Sequence, residues 1–221
     1  LKSPFYCNGT SGATGLDSAG NGCPAQYAYA RPRNVTVDSD GNIYISTSAP
    51  SQGVRIIYVG GTKAANLITT YNPKVTAPLP GYIYALSASG DFIAIRDLAI
   101  DSTGGLYAID NGVQSTALKL QATTSGNQIK KFSGTGWTTY INGTATAGPT
   151  LPMGDGGPAS GGLVSLVGGT ALLFFDGNDN LYIADGVDFR VRLVYSSGPT
   201  PPLYIEGANA TAVANPAPGN I

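Results

Sequence analysis

Short apolar runs broken by polar turns recur along this chain, and one such pattern is written three times. Val35-Thr36-Val37 runs into Asp38, a turn of Ser39, Asp40, Gly41 and Asn42 follows, and Ile43-Tyr44-Ile45 resumes the apolar pattern. Leu98-Ala99-Ile100, Asp101 and Leu106-Tyr107-Ala108 repeat the theme, as do Leu173-Phe174-Phe175, Asp176 and Leu181-Tyr182-Ile183. β-Branched and aromatic residues suit a pleated, half-buried surface, while Gly, Asn and Asp tolerate the positive φ of tight turns. Each copy therefore predicts a β-hairpin.

A third strand-like run follows each hairpin, at Val54–Tyr58, Gln128–Phe132 and Arg190–Val194. A fourth is read at Leu67–Tyr71, Trp137–Ile141 and Leu203–Ile205. No stretch sustains apolar residues at helical spacing, so the fold class is all-β. Four antiparallel strands per repeat correspond to one propeller blade. The blades are bounded at about 32–71, 95–141 and 171–207, within a repeat region 32–207. Residues 1–31 form an N-terminal segment with a blade-leading loop, and 208–221 an extended C-terminal tail. Asp38 to Asp101 spans 63 positions and Asp101 to Asp176 spans 75, against about 40 to 45 for a compact blade. Segments 72–90 and 142–169, rich in Pro, Gly, Ala, Ser and Thr, hold the excess, and Gly81–Leu86 inside the first reads as an additional strand.

Gly20-Asn21-Gly22-Cys23-Pro24-Ala25 precedes the first hairpin, and Gly154-Asp155-Gly156-Gly157-Pro158-Ala159 precedes the third. Together with Asn180–Asp185 and Phe189–Val194, the second of these resembles the NHL-repeat β-propeller family. The likeness covers residues 19 to 60 and 154 to 207 well, and 95 to 141 more loosely. It implies a propeller of four-stranded blades. Three clear blades fall short of the four to eight that close a ring, so either a diverged fourth blade completes the series or another chain covers its open end.

Composition narrows the chemistry. Of 221 residues only 11% are charged and the net charge is −1, which provides no basic footprint for nucleic acid and no electrostatic membrane surface. No apolar run reaches the roughly 18 residues of a membrane span. Histidine is absent, which removes the usual general base and the commonest metal ligand. Propellers similar to this one include lyases that rely on His and lactonases that hold calcium with carboxylates and Asn; only the second type is compatible with these residues. Its candidate ligands are Asp38, Asp40, Asp101, Asp110, Asp176, Asp179, Asp185 and Asp188. The loops lack the bidentate Glu of a calcium loop, and Asp in such turns more often shapes the backbone. Gly154–Gly157 lacks the Lys-Ser or Lys-Thr of a phosphate loop. Arg190 and Arg192 share a strand face and read as partners for Asp185 and Asp188. Tyr44, Tyr107 and Tyr182 recur at one position and read as equivalent packing between blades. No cofactor is expected.

Two cysteines, Cys7 and Cys23, close a short N-terminal loop, and a disulfide there would contribute about 3 kcal/mol in the chain-entropy model. Glycosylation sequons stand at Asn8, Asn34, Asn142 and Asn209. With the chain read as a mature or trimmed form, both features indicate an oxidising, extracellular setting, secreted or at the cell surface. The expectation is a noncatalytic glycoprotein that docks partners or copies of itself, as a homo-oligomer or fibre, through strand edges and terminal arms. The alternatives are a calcium-dependent lactonase or hydrolase, and a monomeric sugar- or peptide-binding propeller.

Overall fold

A computed structural model describes residues 21–28, 30–48, 53–88, 90–92, 94–111, 127–133, 135–143, 158–159, 163–164, 171–185, 190–198 and 217–219. Three sheets dominate them. The first contains β1 (Cys23–Pro24), β2 (Pro32–Val37), β3 (Ile43–Thr47), β4 (Gly53–Ile57) and β5 (Tyr82–Ala85), antiparallel throughout in the order β2-β3-β4-β5-β1. The second runs β6 (Ile95–Ile100), β7 (Leu106–Asn111), β8 (Asn127–Phe132) and β9 (Trp137–Gly143), with β10 (Leu163–Val164) added parallel to β9. The third is β11 (Leu172–Phe175), β12 (Leu181–Asp185) and β13 (Arg190–Val194). All three predicted hairpins are present, with Tyr44 opposite Thr36, Tyr107 opposite Ala99 and Tyr182 opposite Phe174.

The leading strands hold the sheets together. β6 packs against β2 and β3 on one side and β11 on the other, which puts the second sheet between the first and third. Period-two alternation explains how one strand serves two neighbours. Leu98, Leu106 and Phe132 turn toward the first sheet, where they join Tyr44, Val54, Ile56, Tyr84 and Leu86. Ala99, Tyr107, Ile109, Ile129 and Ile141 turn the other way and meet Leu173, Leu181, Ile183 and Val194 of the third sheet. The core is thus two apolar layers separated by a sheet that is apolar on both faces.

The first sheet departs from the expected pattern. Leu67–Tyr71 is not its fourth strand but the second half of a helix, α1 (Thr62–Tyr71), and β5, within the segment read as additional, takes the fourth place. Thr69 and Thr70 with Ile68 suggest a strand by propensity, yet Ala64, Ile68 and Tyr71 fall on one helical face, and Ala64 and Ile68 are buried beneath it. Tertiary burial overrides the local β-preference. Gly61, at φ +86°, caps the helix start. At its end the Asn72 side chain donates to Ala85 O at 2.7 Å, tying the helix to β5.

Two further segments join the sheets rather than flanking them. Ala25 N donates to Gly81 O (2.8 Å) and Gly81 N to Tyr58 O (2.7 Å). Ala159 N likewise donates to Gly219 O (2.8 Å) and Gly219 N to Tyr195 O (2.6 Å), with Gly81 and Gly219 at φ +82° and +83°. Ala25 and Ala159, the last residues of the two echoing segments, thus make the same kind of docking bond beside the first and third sheets. Gly219, expected within a tail, returns to the end of β13. Leu203–Ile205 lies outside the described residues.

Candidate functional site

The three turn aspartates come together at one end of the stacked sheets, around a cavity of about 310 Å3 lined by Asp38, Asp40, Lys63, Asp101, Phe175 and Asp176 among others. Each carboxylate is already engaged by its own turn. Asp38 Oδ1 accepts from the backbone N–H of Asp40 (3.0 Å) and Asn42 (2.9 Å), while Oδ2 accepts from Asn42 Nδ2 (2.9 Å) and the Tyr44 hydroxyl (3.0 Å). Asp176 repeats this with Asn178 N, Asn180 N, Asn180 Nδ2 and the Tyr182 hydroxyl, at 2.9, 2.9, 2.9 and 3.3 Å. Asp101 Oδ1 accepts from Thr103 N (3.0 Å), Thr103 Oγ1 (2.7 Å) and Gly105 N (2.6 Å). The recurring Asp-to-Tyr spacing of six residues is thus a turn device. Burial raises the pKa of Tyr44 and of Tyr107, and the adjacent Asp38 and Asp101 push in the same direction. Burial also pushes Asp176 upward, but the bonds from Asn180, Asn178 and Tyr182 outweigh it and hold this carboxyl below its ordinary value.

Asn42 and Asn180 add a second connection. Asn42, fully buried, accepts on Oδ1 from Val59 N (2.7 Å) and Gly60 N (3.1 Å) and donates from Nδ2 to Gly60 O (2.9 Å). Asn180 does the same with Ser196 N (2.7 Å), Ser197 N (3.3 Å) and Ser197 O (3.3 Å). Each clamps its turn to the chain leaving the third strand. Gly105 holds the equivalent place in the second sheet, where a Cβ would come within 2.3 Å of Asp101 Oδ2.

Asp40, Asp110 and Asp179 serve structural contacts. Asp179, at φ +60°, accepts from Ser102 N (2.7 Å) and Ser102 Oγ (2.5 Å), joining the third turn to the second. Lys63 Nζ donates to Thr103 O at 2.8 Å. Asp40 lies beside Gly61 at the start of α1, a favourable place for a negative charge. Buried Asp110 pairs with Lys130 at 2.7 Å. Asp185 stands opposite Arg190 in the β12–β13 ladder, Arg192 opposite Ile183, and Asp188 lies outside the described residues. Among the described residues no group of three His, Cys, Asp or Glu converges as a metal site.

Two side chains drew no attention in the sequence. Asp97 is buried and accepts from Leu173 N at 2.6 Å, stitching β6 to β11, while its Oδ1 has no partner among the described residues. Burial raises its pKa against the lowering effect of bonds from Leu173 N and Leu98 N. Arg96 Nε is buried without a partner among the described residues, and burial, with the charge of Arg33, lowers its pKa.

The ends of the sheet series carry its least satisfied surface. Val35, Leu98 and Leu173 occupy the same repeat position, yet Leu98 and Leu173 are 3% and 8% exposed and Val35 is 58% exposed. Val37 is exposed alongside it. At the other end Phe174 and Leu172 are 65% and 60% exposed, Val191 is exposed, and Tyr182 is half-buried where Tyr44 and Tyr107 are buried. Two apolar sheet faces are thus open at the ends of the series, and β13 has no outer strand partner among the described residues. The outer edge of β5 is paired by β1, and that of β9 by β10.

Cys23 is buried and is not a free thiol. Cys7, Asn8 and Asn209 lie outside the described residues, and Asn142 lies in β9. Asn34 sits at a bulge in β2, half-buried, with its N–H donating to Ser46 Oγ (3.0 Å) and its Oδ1 buried. No helix among the described residues is long and apolar enough to cross a membrane.

No family model matches the chain, and no curated protein matches it. Among solved structures, the extracellular domain of a putative one component system from B. thetaiotaomicron is similar over 82% of this chain, at 16% identity and a TM-score of 0.33. This chain spans 23% of the length of that one.

Proposed function

We propose that the chain is a noncatalytic, extracellular β-propeller protein of the NHL-repeat type whose task is to hold copies of itself or partner proteins in an assembly. The observation that carries this reading is the pair of exposed apolar faces at the two ends of the sheet series. Positions buried in the interior of the series are exposed at its ends, and contiguous apolar patches of this kind mark interaction surfaces. Association therefore proceeds by packing of sheet faces rather than pairing of strand edges. The turn aspartates support the noncatalytic side, because Asp38, Asp101 and Asp176 commit their oxygens to the turns that position them. The two cysteines and the four sequons support an oxidising, glycosylated setting, with a Cys7–Cys23 disulfide fixing the N-terminal segment beside β1.

Light-scattering mass of purified glycosylated protein across a wide concentration range tests the reading. Self-association is expected, and Phe174→Asp, placed on an exposed position, is expected to weaken it by at least about tenfold, since tenfold corresponds to about 1.4 kcal/mol and full burial of such a ring contributes about 1.5–3 kcal/mol. A strictly monomeric wild-type particle at every concentration would overturn it.

A further inference from the structure

We infer that two copies of this chain close into one six-sheet ring, in which Phe174 and Tyr182 of each copy pack on Val35 and Val37 of the other. This rests on the self-association reading above and names its partner and contact. The molecule makes the required interface twice within itself. Ala99 and Tyr107, on the forward face of the second sheet, pack against Leu173 and Phe175 on the rear face of the third, with the Tyr107 and Phe175 rings 4.9 Å apart. Tyr44 of the first sheet packs in the same layer as Leu98 and Leu106 of the second.

One repeat further on, the forward positions of Ala99 and Tyr107 are Phe174 and Tyr182, and the rear positions of Leu173 and Phe175 are Val35 and Val37. Bulk has moved across the contact without leaving it. A small Ala facing a large Leu inside the chain becomes a large Phe facing a smaller Val between chains, and Phe175 becomes Val37. Interiors tolerate such exchanges when the total volume is conserved. The forward face of the third sheet thus fits the rear face of a first sheet, and the contact is head-to-tail.

A head-to-tail contact gives a ring if its rotation closes and a filament if it does not. The described residues hold three sheets, below the roughly four to eight that close a ring, and two copies bring six such sheets. Two is the smallest number of copies that reaches this range, and each copy then has both open faces covered by the same contact.

Val35→Cys and Phe174→Cys placed together in the full chain test the geometry under mild oxidation. Both positions are exposed, so neither substitution cuts into the core. The expected product is a covalent dimer with two inter-chain bridges, each mapped by peptide mass spectrometry to positions 35 and 174. The wild-type particle is expected at the mass of two chains by native mass spectrometry. A ladder of trimers and larger species would refute closure. Bridges joining 35 to 35 or 174 to 174, bridges within one chain, or association without any bridge would refute the head-to-tail pairing while leaving self-association standing. Failure of the wild type to associate at all would instead remove the functional reading beneath it.

Discussion

Removing the Asn42 side chain should weaken the first sheet more than its size suggests. Asn42→Ala deletes an acceptor used by Val59 N and Gly60 N and a donor used by Gly60 O and Asp38. A net protein hydrogen bond contributes about 0.5–1.5 kcal/mol, and a buried group left without a partner costs about 1–3 kcal/mol. Asp38 keeps Asp40 N, Asn42 N and the Tyr44 hydroxyl, so its loss is partial. Three backbone groups at Val59 and Gly60 bear the main cost, which amounts to about 3 kcal/mol once shared relaxation is allowed for. With a urea dependence of about 2 kcal/mol per molar, the unfolding midpoint should fall by roughly 1.5 M. Asn66→Ala, on the exposed side of α1, is the control and should stay within about 0.5 kcal/mol of wild type. Urea titration followed by tyrosine and tryptophan fluorescence gives both midpoints. A fall smaller than about 0.3 M for Asn42→Ala at unchanged slope would show that the clamp does not hold the turn to the third strand.

Two further outcomes follow from the same geometry. Asp97, whose pKa burial raises, binds its proton more readily folded than unfolded. Its contribution to stability is therefore full below the unfolded carboxyl value of about 3.9 and is lost as pH rises through the higher folded value. Asp97→Asn should remove that part of the pH dependence, so that the variant gains on wild type between acid and neutral pH, and parallel stability curves would contradict it. Asp176 acts with the opposite sign, since its depressed value adds stability above the unfolded pKa that is lost as pH falls. Calcium at about 5 mM should leave the melting temperature unchanged, because the turn carboxylates are filled; a site of about 1 mM affinity would raise it by about 2–4 °C in a chain of this size.

What the sequence revealed was the local part of the fold. The Asp-to-Tyr theme is legible because its bonds run between residues two, four and six apart, as in Asp38 with Asp40, Asn42 and Tyr44. The pairing of Tyr44, Tyr107 and Tyr182 with equivalent strands follows from the same repetition. α1 was not legible, since its evidence is one face of Ala64, Ile68 and Tyr71 over ten residues set against a β-branched run at Ile68, Thr69 and Thr70. Its burial depends on β5 and on Phe132 of the second sheet, partners that nothing in the local pattern announces. Asp97 escaped for a similar reason: its bond reaches Leu173, 76 residues away, across a sheet boundary. The docking of Gly219 between Ala159 and Tyr195 became recognisable only beside its counterpart at Gly81.

Repetition also turns exposure into an argument. A lone exposed valine needs no explanation, because more than half of a folded protein's surface is apolar. Val35 differs because two residues in the same molecule, Leu98 and Leu173, report what its position is for. Both are buried by the sheet before them, and Val35 has none before it among the described residues. Tyr182 gives the matching report from the opposite end, where Tyr44 and Tyr107 are buried by the sheet after them. The Asp-to-Tyr turns recur in all three sheets, with Gly105 in place of the clamping Asn in the second, and therefore belong to the fold. The faces differ in exposure at the ends of the series, and the proposed contact with a second copy lies there.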